Sequence, residues 1–283
     1  AMDVYGCTAD DIANGVIKNR IGASHRNVEG GPRNSRNENS AMRIITGMRG
    51  SFLDDVWGYE VFAQVSQTRD QSESTNDFVV ENLQNALLAV LDYDELGNEI
   101  GVVCLDPAAR AAGCVPYNIF TRPGGQSGVD PASTDYIQGI GIVNGSTAQQ
   151  VYGASVQADL GEYGWQLPWA DYGMRFLAGV EARKDELNSR PDEISQIPGG
   201  GFTGVGGADL PVAGVVEVKE IFTEFELPLI SGMEGIKELT LRGQYRYSDY
   251  SRTGNDTYSS VDTDTYGVSL AWAPIDEVRV RAQ

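Results

Sequence analysis

Apolar and polar side chains alternate through four stretches of this chain. From Trp57 the apolar phase is Trp57, Tyr59, Val61, Ala63 and Val65, with Glu60, Gln64 and Ser66 between. From Tyr172 it is Tyr172, Met174, Phe176, Ala178, Val180 and Ala182, against Arg175, Glu181 and Arg183. From Leu239 it is Leu239, Leu241, Gly243, Tyr245 and Tyr247, against Arg242, Gln244 and Arg246; from Tyr266 it is Tyr266, Val268, Leu270 and Trp272, against Thr265, Gly267 and Ser269. A period of two sends alternate side chains to opposite faces of a sheet. The second face carries full charges of both signs. A β-sandwich facing water produces that pattern, and so does a transmembrane barrel with a wet interior.

The connections separate the two. A short turn, Phe52–Asp55, precedes the Trp57 strand, and a long connection, 68–147, follows it. The Leu167–Asp171 turn is short, and the Gly/Pro-rich segment 185–214 is long. A Val215–Leu229 strand and a short Ser231–Lys237 turn come next. A polar loop, Ser251–Asp264, precedes the Tyr266 strand, and Ala273–Asp276 turns into the last segment. Alternating short and long connections are the habit of outer-membrane barrels, whose long loops all lie at one end. The expected fold is all-β: about nine strands of an antiparallel, up-and-down transmembrane barrel. The chain 1–283 forms part of a larger barrel, with 68–147 and 185–214 as long extracellular loops. The ends, Ala1–Gly6 without a leader and Glu277–Ala282 in mid-strand, read as a piece of a longer protein.

Within the first long loop, Val79, Val80, Leu83, Ala86, Leu87, Val90 and Leu91 recur at helical spacing and predict a short amphipathic helix. A turn of helix over Asp10–Ile17, a weak strand at Ile21–Glu29 and a better one at Met42–Arg49 complete the elements. Cys104 and Cys114 close a short loop with Pro107 and Gly113 placed to turn it. A metal site would want four ligands at close spacing, and the one histidine, His25, is remote, so a disulfide in an oxidising compartment is the better reading. Cys7 is left over.

The net charge is −19, which excludes a nucleic-acid footprint. The acids concentrate in presumed loops, where they read as a solvated exterior. No Asp-x-Asp-x-Asp-Gly run marks a calcium site. Arg122–Gly128 is glycine-rich but lacks the lysine and helix of a phosphate cradle. A single histidine leaves nucleophilic catalysis without a base. Glu220, Glu224 and Glu226 share one face of one strand, where an acid pair for glycoside cleavage would face across a cleft. No enzyme, cofactor or metal is expected.

Several blocks resemble TonB-dependent outer-membrane receptors: Gly179–Glu186, Val218–Leu229 with its Leu227-Pro228-Leu229 step, Arg242–Ser251 with Arg246-Tyr247-Ser248-Asp249-Tyr250, and Thr265–Val268 with Trp272-Ala273-Pro274. Gly113–Phe120 is similar to a loop motif of the long-looped subgroup. The resemblance runs from about Met42 to the C-terminus. It implies a slice of a 22-stranded barrel in a Gram-negative outer membrane. A plug, outside this sequence, would couple it to the inner-membrane TonB energy complex. The cargoes it implies are scarce nutrients: iron–siderophores, cobalamin, haem or saccharides. Capture would fall to the long loops, where Tyr117, Asn118, Arg122 and Tyr136 are the candidate contacts. A passive porin and a secreted β-sandwich binding module are the competing readings.

Overall fold

The computed structural model describes Asn14 and residues 27–120, 128–254 and 257–283. Its main element is one eight-stranded antiparallel sheet in the order β1-β2-β5-β6-β7-β8-β9-β10. The strands are β1 (Asn34–Phe52), β2 (Trp57–Phe78), β5 (Gln138–Asp159), β6 (Arg175–Pro191), β7 (Val212–Met233), β8 (Ile236–Gly254), β9 (Thr257–Ile275) and β10 (Val278–Ala282). Each neighbour in the sheet is the next long strand along the chain, as short turns require. Among the described residues this sheet has eight strands, against the about nine expected. The helical turn expected over Asp10–Ile17 and the weak strand expected at Ile21–Glu29 lie outside the described residues, apart from Asn14 and residues 27–29.

Strands of 17 to 22 residues are three to four times the usual soluble length. They run beyond the limits that alternation suggested. β2 continues to Phe78 and β5 starts at Gln138, so the first long connection is 79–137; the second shrinks to 192–211. The polar stretch Ser251–Asp264 is not a loop, because β8 and β9 pair through it as far as Gly254 opposite Thr257. The backbone ladder carries on where both faces have become polar, and side-chain alternation is blind to a strand of that kind.

Register confirms the sorting into two faces. On one face Phe176 lies opposite Phe225, Val180 opposite Ile221, Leu241 opposite Leu270, and Trp272 opposite both Leu239 and Val280. On the other, Arg175 lies opposite Glu226, which lies opposite Arg242. Val180, Tyr245, Val268, Leu270 and Trp272 are exposed, each between 40% and 63% accessible. No second layer of the protein covers them among the described residues. Pro228 belongs to β7 at a register shift between Pro228 and Ile230, the kind of position where a strand tolerates a residue with no N–H to give.

The β5–β6 connection opens with a 3-10 turn, Leu160–Tyr163. Here two backbones touch: a Cβ on Gly173 would sit 2.1 Å from Gly161 Cα and 2.3 Å from its nitrogen. Bonds from Leu160 N–H to Met174 O (2.8 Å) and from Met174 N–H to Trp165 O (2.8 Å) hold both segments in place. Gly173→Ala is therefore expected to destabilise the sheet by about 1–3 kcal/mol, read as a lower midpoint in urea. Gly207→Ala, with nothing within 4 Å, should leave the midpoint unchanged.

Contacts divide the chain into two compact units. The sheet makes up most of the unit with residues 35–74, 141–200 and 207–283, and the described part of 1–34 with 75–140 and 201–206 forms the other. The smaller unit contains α1 (Val80–Leu87), the hairpin β3 (Ala89–Tyr93) and β4 (Glu99–Cys104), α2 (Pro107–Ala111) and α3 (Pro131–Ile137). The helix expected from the Val79–Leu91 spacing forms, but stops at Leu87 where the chain enters β3. Both later helices start on an Asp-Pro step. Asp106 accepts from Ala108 N–H and Asp130 from Ala132 N–H, each at 2.9 Å, with proline at the position that lacks an intrahelical bond anyway.

The smaller unit has its own core: Ala86, Cys104, Ala109, Cys114, Tyr117, Val129 and Ile137, with Phe78, Leu83, Ile119 and Tyr136 packed on it. Cys104 and Cys114 are joined in a disulfide across a separation of 10 residues, as their spacing suggested. A loop of that length stabilises by about 3 kcal/mol on the chain-entropy view. So small a core is short of apolar area to bury, and the cross-link offsets part of that shortage.

Candidate functional site

The polar face of the sheet is where chemistry collects. Toward one end a row of side chains crosses four strands. The Arg43 guanidinium donates to Gln64, Gln64 Nε2 to Gln149 Oε1 at 2.9 Å, and Gln149 Nε2 to Asp185 Oδ1 at 2.8 Å. Arg183 Nε lies 3.1 Å from Asp185 Oδ2. The hydroxyls of Thr68 and Thr147 bond to each other. Strand parity aligns this row: Gln64, Gln149 and Asp185 each stand on the polar phase of their own strand, and Gln149 lies opposite Asp185. Beside it lies a cavity of about 750 Å³, lined by Ser66, Thr68, Thr147, Gln149, Thr257 and Ser259, with Asp185 and Arg252.

Toward the other end the same face is ionic. Arg242 holds Glu226 at 2.7 Å, Arg175 lies 3.7 Å from Glu226 and 3.8 Å from Asp159, and Tyr172 donates to Glu226 at 3.3 Å. The Arg175 guanidinium stacks 4.5 Å over the Tyr172 ring. Next along, Glu220 takes Ser248 at 2.6 Å and Arg246 at 3.2 Å, and Arg246 covers Phe222 at 5.1 Å. A second cavity, of about 1030 Å³, opens over Gln157, Asp159, Arg175, Glu226, Arg242 and Gln244. Arg175, Arg242 and Arg246 each have a carboxylate partner, so none of the three is left as an unpaired cation.

Two further aromatic placements belong to this face. Phe62 lies over Gly153 and Phe222 over Gly179, with ring atoms where a Cβ would stand. Glycine there lets a ring lie flat against the backbone of the neighbouring strand.

The candidates taken from loop sequence fall elsewhere. Tyr117 is 5% exposed in the core of the smaller unit, where its hydroxyl reaches Asn27 at 3.3 Å. Burial, and after it the charge of Glu29, raises its pKa. Asn118 accepts from Phe120 N–H at 3.0 Å and shapes a turn. Tyr136 packs on the same core, and Arg122 lies outside the described residues. Tyr117 and Tyr136 are thus brought together around the disulfide as packing groups. In the tip of the β3–β4 hairpin, Asp94 accepts from Leu96 N–H, Asn98 N–H and Asn98 Nδ2 at 2.8–2.9 Å. Those bonds, that of the Asn98 side chain first, hold its carboxyl below the ordinary value.

Thr68, Thr147 and Asp185 were missed because 68–147 and 185–214 read as loop, and Gln149 because it lies just past the first of these in a stretch not assigned to a strand, although Gln64 and Ser66 already marked the polar phase of β2. No group of acids, histidines or cysteines able to hold a metal occurs among the described residues. No helix there is long and apolar enough to cross a membrane, which does not bear on strands. No protein-family model matches the chain, and no curated protein matches it significantly.

Proposed function

We propose that this chain builds part of the wall of an outer-membrane receptor barrel of the TonB-dependent kind, which takes up a scarce nutrient at the expense of the inner-membrane proton gradient. The observation that carries this is a single sheet with two unlike faces. One face is apolar and bare, the other a hydrogen-bonded and ion-paired surface of both signs.

The apolar band has the dimensions of a bilayer. It runs from Trp57 to Val65 on β2 and from Leu239 to Tyr247 on β8, in keeping with the roughly 9–11 residues of a membrane strand. Aromatic side chains flank it. Trp165, Trp169 and Trp272 are exposed toward the short-turn end, and Tyr245, Tyr247 and Tyr266 toward the other, as girdles at two membrane surfaces would be. Beyond the second set the outward positions become Asp249, Asp262 and Asp264, so the strands continue outside the hydrocarbon. Strand length, the resemblance of Val218–Leu229 and Arg242–Ser251, and a disulfide-clipped folded insertion between β2 and β5 support a receptor over a simple pore. Cargo is captured by the long connections and passed down the polar face; the plug and the TonB contact belong to sequence other than this.

The test is uptake. Cells with and without the protein would be offered labelled ferric chelate, cobalamin, haem and oligosaccharide, with and without an uncoupler. One cargo is expected to enter only with the protein and only with a gradient. Uptake indifferent to the gradient would mean a passive porin. Recovery of the protein in a detergent-free soluble fraction would mean a secreted module.

A further inference from the structure

The uptake reading leaves four cargo classes open, and the lining of the upper cavity separates them. We infer that the 750 Å³ cavity binds an uncharged, polyhydroxylated ligand, an oligosaccharide in chemical class. This rests on the barrel reading above and deepens it.

Five of the named lining groups are hydroxyls: Ser66 and Thr68 on β2, Thr147 on the neighbouring β5, and Thr257 and Ser259 on β9. A hydroxyl both donates and accepts, so it meets a sugar hydroxyl in either sense. The Gln149 amide supplies a fixed donor and acceptor at the floor, held between Gln64 and Asp185. Leu187, Gly214 and Val216 lie among these groups and offer the low apolar ground on which a pyranose ring can rest its C–H face.

Charge decides against the other cargoes that carry anionic groups. A ferric chelate, a phosphate or the propionates of haem call for convergent guanidinium or ammonium groups in excess of carboxylates. Asp185, Glu186 and Arg252 line the cavity, so its cations do not outnumber its carboxylates, and Asp185 already accepts from Gln149 and is ion-paired with Arg183. Farther along the face Arg175, Arg242 and Arg246 are matched with Asp159, Glu226 and Glu220. Among the described residues an anion would find no unmatched cluster of cations along this row. The chain's net charge of −19 repels it at longer range. A neutral ligand meets neither obstacle. The volume lies within the 300–1,000 Å³ range of small-molecule sites, room for a short run of sugar units.

The experiment is titration of the purified full-length receptor in detergent. The probes are a mixture of neutral hexa- to octasaccharides from glucans, xylans and mannans and, separately, ferric citrate. The neutral mixture is expected to bind. Gln149→Leu should weaken it about tenfold, the worth of one or two hydrogen bonds, and Thr147→Trp, which fills the cavity, should abolish it. Heat-dependent gel mobility would show that both variants remain folded. Binding of ferric citrate instead, failure of every neutral probe, or neutral binding indifferent to both substitutions overturns the inference. If gradient-dependent uptake survives any of these results, the receptor reading stands without it. If the protein proves soluble without detergent, that reading is what has failed.

Discussion

Arginine at Val156 is expected to prevent stable insertion, and arginine at the next residue, Gln157, to be tolerated. The two are neighbours on β5 and differ in the face they occupy. Val156 lies opposite Ala178 of β6 and shares the apolar face with Phe176, Val180, Ile221 and Phe225. That position is near the middle of the band between Tyr152 and Leu160. A guanidinium there must be buried among acyl chains or drag water in, at a cost of about 2–4 kcal/mol near the bilayer midplane. Gln157 is exposed, lies opposite Leu177 and lines the ionic cavity near Asp159 and Arg175. A longer, charged side chain there stays in water, and the cost should remain below about 1 kcal/mol. Folding yield in lipid vesicles, followed by the gel shift between heated and unheated samples, reads the difference. If Gln157→Arg were the damaging change, the faces would be reversed. If both changes were harmless, neither face meets hydrocarbon and a water-facing sheet is the better account.

The apolar band was legible in the sequence because a sheet with two unlike faces imposes a strict period of two, and the apolar positions from Phe176 to Trp272 share one face in the registered sheet. What lies past the band was not legible. Beyond Tyr247 both faces of β8 and β9 are mostly Ser, Thr, Asp and Arg, with only Tyr250, Tyr258 and Val261 as large apolar or aromatic positions, too few to set a period that distinguishes ladder from loop; the pairing of Tyr250 with Val261 and Arg252 with Ser259 reveals strand. The upper cavity is built from such residues and was invisible for the same reason. Cys104 and Cys114 were readable from spacing. The burial of Tyr117 was not, since an aromatic near Pro and Asn in a loop looks the same as a binding residue until a core forms around it. The Leu227-Pro228-Leu229 step is legible in retrospect, because proline inside a strand otherwise so regular calls for a bulge, which is what the register shift there supplies.

Ile137→Ala should open the smaller unit, leave the sheet intact and suppress capture of cargo from dilute solution. Ile137 is fully buried at the end of α3, among the core of Ala86, Cys104, Cys114, Tyr117 and Val129. Its carbonyl accepts from Val79 N–H at 2.8 Å, so it ties the start of the insertion to its end. Truncating a buried isoleucine to alanine costs about 2–5 kcal/mol. For a core this small, which relies on its disulfide for a contribution of about 3 kcal/mol, that loss approaches everything available. The sheet is stabilised separately, by the continuous pairing of β6 through β9. Amide exchange should therefore accelerate across 80–137 while β6–β9 keep their protection, and heat-dependent gel mobility should not change. Uptake at limiting cargo should fall at least tenfold if the folded insertion makes the first contact. Unimpaired uptake alongside rapid exchange in 80–137 would remove the insertion from the capture step and leave the polar wall, with Gln64, Gln149 and Asp185, as the surface the cargo meets first.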